Sequence, residues 1–487
     1  MSIASAPRWL ILLLVALAAR AITFGNPILH VDEEFYFVAA RAMLDGAMPF
    51  VDVWDRKPIG LFLLYAPAAA LGVPLGIWAY QALALACLVA TAILAARLAD
   101  RAGWYRGALA AGIAVILWPN LIDGQGGQAP IFYNLMMIAA IASVGPDRSA
   151  AQDAGQRFRG GIVAMLLVGI ALQIKYAVVF EGLFIGLWLM WREWRAGQGA
   201  VAILVRALIW AGVALAPTLA AWGAYASLGQ GETWLYANFL SILDRNPDPL
   251  GERLANLGII LLLFSPLLSA AWLAFRRQWA AGEVTEMRGY LFAWSAAAVL
   301  GLLLFGSWFD HYALPLIPPL AICAAAFFGA HRGFTLAVLA LVALGGQALL
   351  TAKRMTRGTP TEIAAIARAI GPGEGCLHVY SGSVMLYAMT GRCAVTRWIF
   401  PSHLSRTRER GAIGVDQAAE IDRIVAARPE WVVMRKPYRG ERPEIRERML
   451  DVVRRDYRQE AVLPLGNERY ALWRRSIPPA RSAISSE

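Results

Sequence analysis

The chain has 487 residues, 58% hydrophobic and only 16% charged, with a formal net charge of +11 at pH 7. Soluble globular domains carry about 25% charged residues, so this composition excludes an ordinary soluble enzyme and marks a membrane protein. The basic excess does not imply a nucleic-acid partner, because it lies mostly in the last stretch of about 135 residues and in short loops between apolar runs, as a membrane surface requires.

Apolar runs of about 17 to 25 residues, the length that crosses a hydrocarbon core of about 30 Å, recur over most of the chain. The first, residues 9–24, has no small-residue cleavage site before the charged loop that follows and reads as a retained helix, not a signal peptide. The run at 58–72 is short, opens on Pro58 and closes on Gly72 and Pro74, so it is expected to lie at the outer interface without crossing. Crossing helices are then expected at 8–25, 76–97, 106–118, 129–144, 161–174, 177–191, 206–226, 254–275, 290–306, 312–329 and 333–351, about 11 in all. With that choice the inside loops hold Arg97, Arg101, Arg106, Arg148, Arg157, Arg192, Arg277, Arg288 and Arg332. The outside loops hold Asp32, Glu33, Asp45, Asp55, Asp123, Asp244 and Asp310. This segregation matches the positive-inside rule and puts everything after residue 351 in the periplasm.

The expected architecture is therefore a polytopic α-helical membrane protein of the bacterial inner membrane, with juxtamembrane helices on the periplasmic side. Residues 1–351 form the membrane domain, 352–475 a small periplasmic α/β domain, and 476–487 a disordered tail rich in Pro, Ser and Ala. Strands are expected at 376–380, 394–399, 431–434 and 469–473, and helices at 417–427 and 444–454. Cys376 and Cys393 fall in this segment, where a disulfide is allowed but sequence fixes no distance; Cys87 and Cys323 lie in apolar runs and read as small packing residues.

The stretch 30–65 concentrates six carboxylates, an Arg-Lys pair and several aromatics between two apolar runs. A helix over 33–44 would place Tyr36, Ala40 and Met43 on one face and Asp32 at its N-cap. A cap explains neither Glu33 beside it nor the Arg56-Lys57-Pro58 that follows.

Asp32-Glu33 with Tyr36, the Gly-x-x-Pro of Gly46 to Pro49, and Lys57-Pro58 opening an apolar helix resemble the first periplasmic loop of the GT-C glycosyltransferases, particularly the bacterial aminoarabinose transferases and the protein O-mannosyltransferases. Ile59 stands where a second proline is usual. The resemblance implies inverting transfer of a sugar from a polyprenyl-phosphate donor to a glycan, lipid or protein acceptor on the periplasmic side, with membrane lipids as the surrounding partners and no nucleic acid. It implies Asp32 as general base, and Glu33 as its neighbour that orients the acceptor or tunes the base. A leaving lipid phosphate calls for fixed cations, which Lys57 and Arg56 are placed to supply.

Farther along, Asp123 and Gln128 lie in a Gly- and Gln-rich outer loop, where the family often places a second acid; with Tyr36 they are candidates for the acceptor or the sugar. Lys175, between two apolar runs, is a second candidate for the phosphate, with Glu181 near it. Asp310-His311-Tyr312 precede a proline-rich span, resembling the family's late loop that faces the lipid phosphate; His311 stands where many relatives carry Arg. No cofactor is required by this chemistry. Asp32, Glu33, Asp123 and His311 leave room for a divalent cation, though no spacing demands one. The other expected class is a transporter or flippase of lipid-linked glycans, which would bury ionisable groups near the midplane in repeated halves.

Overall fold

The computed structural model describes residues 7–146 and 153–476. Arg148 and residues 477–487 of the expected tail lie outside the described residues. The chain divides into two compact units: Met1–Ala40 with Lys57–Leu235 and Pro247–Lys353, and Arg41–Arg56 with Tyr236–Asn246 and Arg354–Glu487.

The first unit is built from helices α1 (Arg8–Arg20), α2 (Val31–Leu44), α3 (Ile59–Ala70), α4 (Leu75–Arg101), α5 (Ala108–Leu117), α6 (Ala129–Val144), α7 (Ala154–Leu172), α8 (Val179–Arg195), α9 (Ala200–Ser227), α10 (Gly231–Leu235), α11 (Leu250–Ala280), α12 (Glu286–Phe305), α13 (Ile317–Ala330) and α14 (Arg332–Arg357). Among the described residues, 7 helical segments are long and apolar enough to cross a bilayer, and they contain α4, α7, α9, α11, α12, α13 and α14. The other expected crossings fall on shorter helices: α1 with 13 residues, α5 with 10, α6 with 16 and α8 with 17. The segment expected to stay at the interface, α3, has 12.

The segment containing α13 is the most buried of the long apolar ones, and α13 packs among α4, α5, α11 and α12. At the other extreme α9 turns Leu204, Leu208, Leu215 and Leu219 outward, the apolar surface expected of a helix facing lipid. Chain order gives the bundle two distinct ends. The C-terminus of α12 and the N-terminus of α11 meet at one end, where Arg253 Nε donates to the Gly306 carbonyl at 2.8 Å. The N-terminus of α12 meets the C-terminus of α4 at the other, where Arg288 Nε donates to the Ala102 carbonyl at 3.0 Å.

In the second unit, helices α15 (Pro360–Ile370), α16 (Met385–Thr390), α17 (Pro401–Ser405), α18 (Gln417–Ala426) and α19 (Pro443–Asp456) accompany strands β1 (Leu377–Val379), β2 (Trp431–Met434), β3 (Tyr457–Leu465) and β4 (Glu468–Arg475). The sheet order is β1-β2-β4-β3. β1 and β2 are parallel, with His378 opposite Val432, and β4 is antiparallel to both β2 and β3. Its core gathers Trp54, Trp398, Ile413, Ile421, Val432, Met449 and Val453. Cys376 and Cys393 are joined as a disulfide. The strand expected at 394–399 is not a strand. Only Ala394 bridges to Leu377, because the segment's backbone groups are used elsewhere: the Arg397 carbonyl accepts from the Trp54 amide at 2.9 Å and the Trp398 amide donates to Thr396 Oγ1 at 3.2 Å.

Candidate functional site

One end of the first unit collects the polar groups that the apolar helices cannot take. α2 begins at Val31, one residue before Asp32, which corrects the expected capping role of Asp32. His30 acts there instead, its Nδ1 accepting the Asp32 backbone N–H at 3.1 Å. The Asp32 carboxylate is thereby released to face three other groups. Lys57 Nζ lies 4.0 Å from Oδ1, and His30 Nδ1 and His311 Nε2 lie 3.8 and 3.9 Å from Oδ2. Burial alone would raise the Asp32 pKa, but Lys57, His30, His311 and Lys175 together hold the carboxyl well below the usual range.

Each of these groups is held by a neighbour. The Lys57 ammonium sits over the buried Tyr36 ring, 5.6 Å from its centroid, and Tyr36 in turn meets Tyr65 edge-on at 5.5 Å. Asp310 Oδ1 accepts the His311 backbone N–H at 2.8 Å and lies 3.4 Å from His311 Nδ1, which leaves Nε2 for Asp32. Lys175 Nζ lies over the Tyr312 ring at 4.5 Å. Both line a small cleft of about 40 Å³ with Tyr133, Phe305 and Glu181. Burial pushes the Lys175 ammonium down to about 8, with Asp32 opposing the shift and Lys57 adding to it. Trp294 Nε1 donates to Glu181 Oε1 at 2.7 Å.

The second outer loop completes the cluster. Asp123, with φ of 57°, accepts from Lys353 Nζ on Oδ1 and places Oδ2 4.0 Å from His30 Nε2. Gln128 Nε2 lies 2.5 Å from His30 Nδ1. Glu33 faces the Arg20 guanidinium: it is buried, and its carboxylate lies so close to Gly126 that a Cβ there would stand 2.1 Å from Oε2. The same loop is gripped by Arg20, which donates to the carbonyls of Gly124 at 2.6 Å and Gly126 at 3.1 Å, and by the Tyr65 hydroxyl, which donates to Gly127 at 2.6 Å.

The structure thus brings together Asp32, Tyr36, Lys57, Asp123, Gln128, Lys175, His311 and Tyr312. Arg56 belongs to a different network, in the second unit. It donates from Nη1 to Glu409 at 2.6 Å, from Nε to Ser241 Oγ at 3.0 Å, and to the Ala412 carbonyl. Arg245 Nε joins Glu409 at 3.0 Å. These bonds commit the guanidinium to protein partners, so the expected phosphate role of Arg56 is replaced by a packing role.

Three residues that the sequence did not single out take part. Arg20 lies inside the first apolar run, where an ionisable group is costly and therefore informative; that signal was available. His30 carries no local signal beyond heading the acidic stretch, and Lys353 reaches Asp123 from a helix more than two hundred residues on. Among the described residues no group of three or more His, Cys, Asp and Glu side chains is placed to hold a metal ion.

No protein-family model and no curated protein matches the sequence. Solved structures do. ArnT from Cupriavidus metallidurans bound to undecaprenyl phosphate superposes with a TM-score of 0.64 at 16% identity, over 96% of this chain and 98% of that one. Its apo form gives 0.66 at 15% identity, over 95% and 97%. The chain has the fold of these two structures. The Archaeoglobus fulgidus oligosaccharyltransferase tethered with an acceptor peptide gives 0.53 at 11% identity over 94% of this chain and 73% of that one. At these identities the likeness speaks for the fold, over 94% or more of this chain.

Proposed function

We propose that the chain is a membrane glycosyltransferase that moves a sugar from a polyprenyl-phosphate donor to a glycan, lipid or protein acceptor of the bacterial envelope. The observation that carries this reading is the juxtaposition of the Asp32 carboxylate with Lys57 and His311, within 4.0 Å, beside a cleft that holds Lys175 and Tyr312. A base for an acceptor hydroxyl and cations for a leaving phosphate are the two groups that inverting transfer at a phosphate-linked C1 needs. The GT-C fold, shared with an ArnT crystallised with undecaprenyl phosphate, supports the same donor class.

In this scheme the acceptor oxygen attacks C1 from the face opposite the phosphate, the C1–O bond to phosphate breaks with its electron pair leaving on the polyprenyl phosphate, and the acceptor proton passes to Asp32. The cations around Asp32 lower its pKa, which favours the ionised form and weakens it as a base. Negative charge growing on the leaving phosphate engages Lys57 and Lys175, weakens their hold on Asp32, and raises its basicity as the proton arrives. Tyr312 positions Lys175, Asp310 positions His311, and Glu33 fixes the Gly126 loop. Asp123, Gln128 and Tyr36 are assigned to the acceptor or sugar side. No cofactor enters the scheme.

The proposed topology has about 11 crossings in the inner membrane, a cytoplasmic N-terminus, and the Asp32 cluster and the C-terminal α/β domain in the periplasm. The segregation of arginines from carboxylates between loops supports it. The test is mass spectrometry of envelope glycans and lipids from cells with and without the gene. Loss of one sugar from one envelope component, restored by the wild-type gene, is expected; identical profiles under conditions of expression would contradict the reading.

A further inference from the structure

The end of the bundle away from Asp32 carries a cavity that sugar transfer leaves unused. It occupies about 510 Å³ between the α4–α5 turn, the last turn of α11, the start of α12 and the end of α13. Arg106, Arg277, Arg288, Gln278 and His331 line it, and among the described residues Glu283 is the one carboxylate in the lining. Glu283 is already engaged, 3.8 Å from Arg288 Nη1. Arg288 is fixed further by donating to the Ala102 carbonyl at 3.0 Å and the Glu283 carbonyl at 2.7 Å. Trp104 holds the floor, its Nε1 donating to Gln278 at 3.3 Å and its ring lying 6.0 Å from the Arg288 guanidinium. Arg106 and Arg277 are exposed, and the described residues give neither an ion-pair partner.

α13 separates this cavity from the Asp32 cluster. His311 lies just before the helix, and Ala325, Phe327 and Ala330 at its far end line the cavity. A helical segment of 21 residues, Asp310–Ala330, spans about 30 Å at 1.5 Å per residue, so the cavity stands at the headgroup level of the opposite leaflet. Among the described residues of the lining, three arginines answered by a single glutamate favour an anion. Guanidinium forks match phosphate oxygens, and Leu273 and Phe327 offer an apolar wall to the glycerol and upper acyl carbons. Trp104 and Tyr105 are the aromatic types that settle at that depth.

We propose that this cavity binds the headgroup phosphate of an anionic glycerophospholipid from the leaflet opposite the Asp32 site. Basic pockets between membrane helices recognise lipid phosphates by this combination of fixed charge and an apolar flank. A zwitterionic headgroup would bring its own cation against the arginines, so the site discriminates between lipid classes.

The experiment uses the full chain purified in a neutral detergent and titrated separately with phosphatidylglycerol, phosphatidylcholine of matched chains, and inorganic phosphate. Native mass spectrometry reads occupancy and thermal unfolding reads stabilisation. Phosphatidylglycerol is expected to bind and raise the melting temperature while the other two do not. The double variant Arg106→Gln, Arg277→Gln is expected to weaken phosphatidylglycerol binding by about tenfold or more, the loss that follows from removing a charge-assisted hydrogen bond. Glu283→Gln, which keeps all three arginines, is expected to bind it at least as tightly as wild type. Equal binding of the two lipids, stabilisation by inorganic phosphate matching that by phosphatidylglycerol, undiminished affinity in the double variant, or loss of affinity in Glu283→Gln would each overturn the proposal.

Discussion

Lys175 offers the sharpest quantitative test of the donor site, because its position and its titration make separate demands. Its ammonium lies in the cleft over the Tyr312 ring, and desolvation there brings its pKa down to about 8. A charge-assisted hydrogen bond to phosphate is worth about 1.5 to 3 kcal/mol, so Lys175→Gln should weaken donor binding by about 10- to 150-fold at pH 7. The sign of the pH effect follows from the same shift. The ammonium is protonated below pH 8 and lost above it, so turnover should fall as pH rises through about 8 at subsaturating donor. Asp32, held far lower, contributes nothing to that alkaline limb. Lys175→Arg keeps the charge at all accessible pH values and should move the limb upward even if its absolute rate is reduced. The assay is transfer from a radiolabelled polyprenyl-phosphate sugar by the purified protein between pH 6 and 10. An alkaline limb that is identical in wild type and Lys175→Arg, or unchanged donor affinity in Lys175→Gln, would remove Lys175 from the phosphate site.

Two further predictions concern the second unit. Glu409 is buried and takes bonds from Arg56 and Arg245; burial would raise its pKa, but Arg245, Arg56 and His403 hold the carboxyl well below the ordinary range. Its contribution is therefore present above the ordinary carboxylate pKa and is lost as pH falls. Glu409→Gln removes the buried charge that two guanidinia share and should cost about 3 to 5 kcal/mol locally, read as lost amide-exchange protection at Ala412, whose N–H is bonded to the Glu409 carbonyl; wild-type protection there would refute it. His378, with both ring nitrogens buried and unbonded among the described residues, is pushed down by burial to about 3. Below its ordinary value of about 6.5 the unfolded chain takes a proton that the folded one refuses, so stability falls toward pH 3 by up to about 1.4 kcal/mol per pH unit. His378→Leu should flatten the acid dependence of exchange protection in β1 and β2, and an unaltered slope would show that the imidazole is not responsible.

Much of the fold was legible because a bilayer writes itself into sequence as length and apolarity. The helical runs and β2 appear where periodicity put them. β3 was missed, although Gly466-Asn467 between two apolar runs is a two-residue hairpin turn that pairs it with β4. The segment 394–399 looked like a strand by composition, yet composition does not say that its backbone bonds go to Trp54 and to its own Thr396. At the site, residue types were readable one at a time: Asp32, Lys57, Lys175 and His311 stood out as charges or imidazoles beside apolar runs. Their separation into working partners was not. Adjacent Arg56 and Lys57 have different partners, and adjacent Asp32 and Glu33 face different surroundings, because helix phase and long-range packing, not local spacing, decide where neighbouring side chains go.

The most direct test of the central claim is single-turnover sugar transfer by Asp32→Asn with donor affinity measured in parallel. Asparagine keeps the shape and the position beside Lys57 and His311 but cannot take the acceptor proton. Transfer should fall by about 10² to 10⁴ while the donor still binds, since the cations remain and one competing anion is gone. Transfer at the wild-type rate would contradict the account.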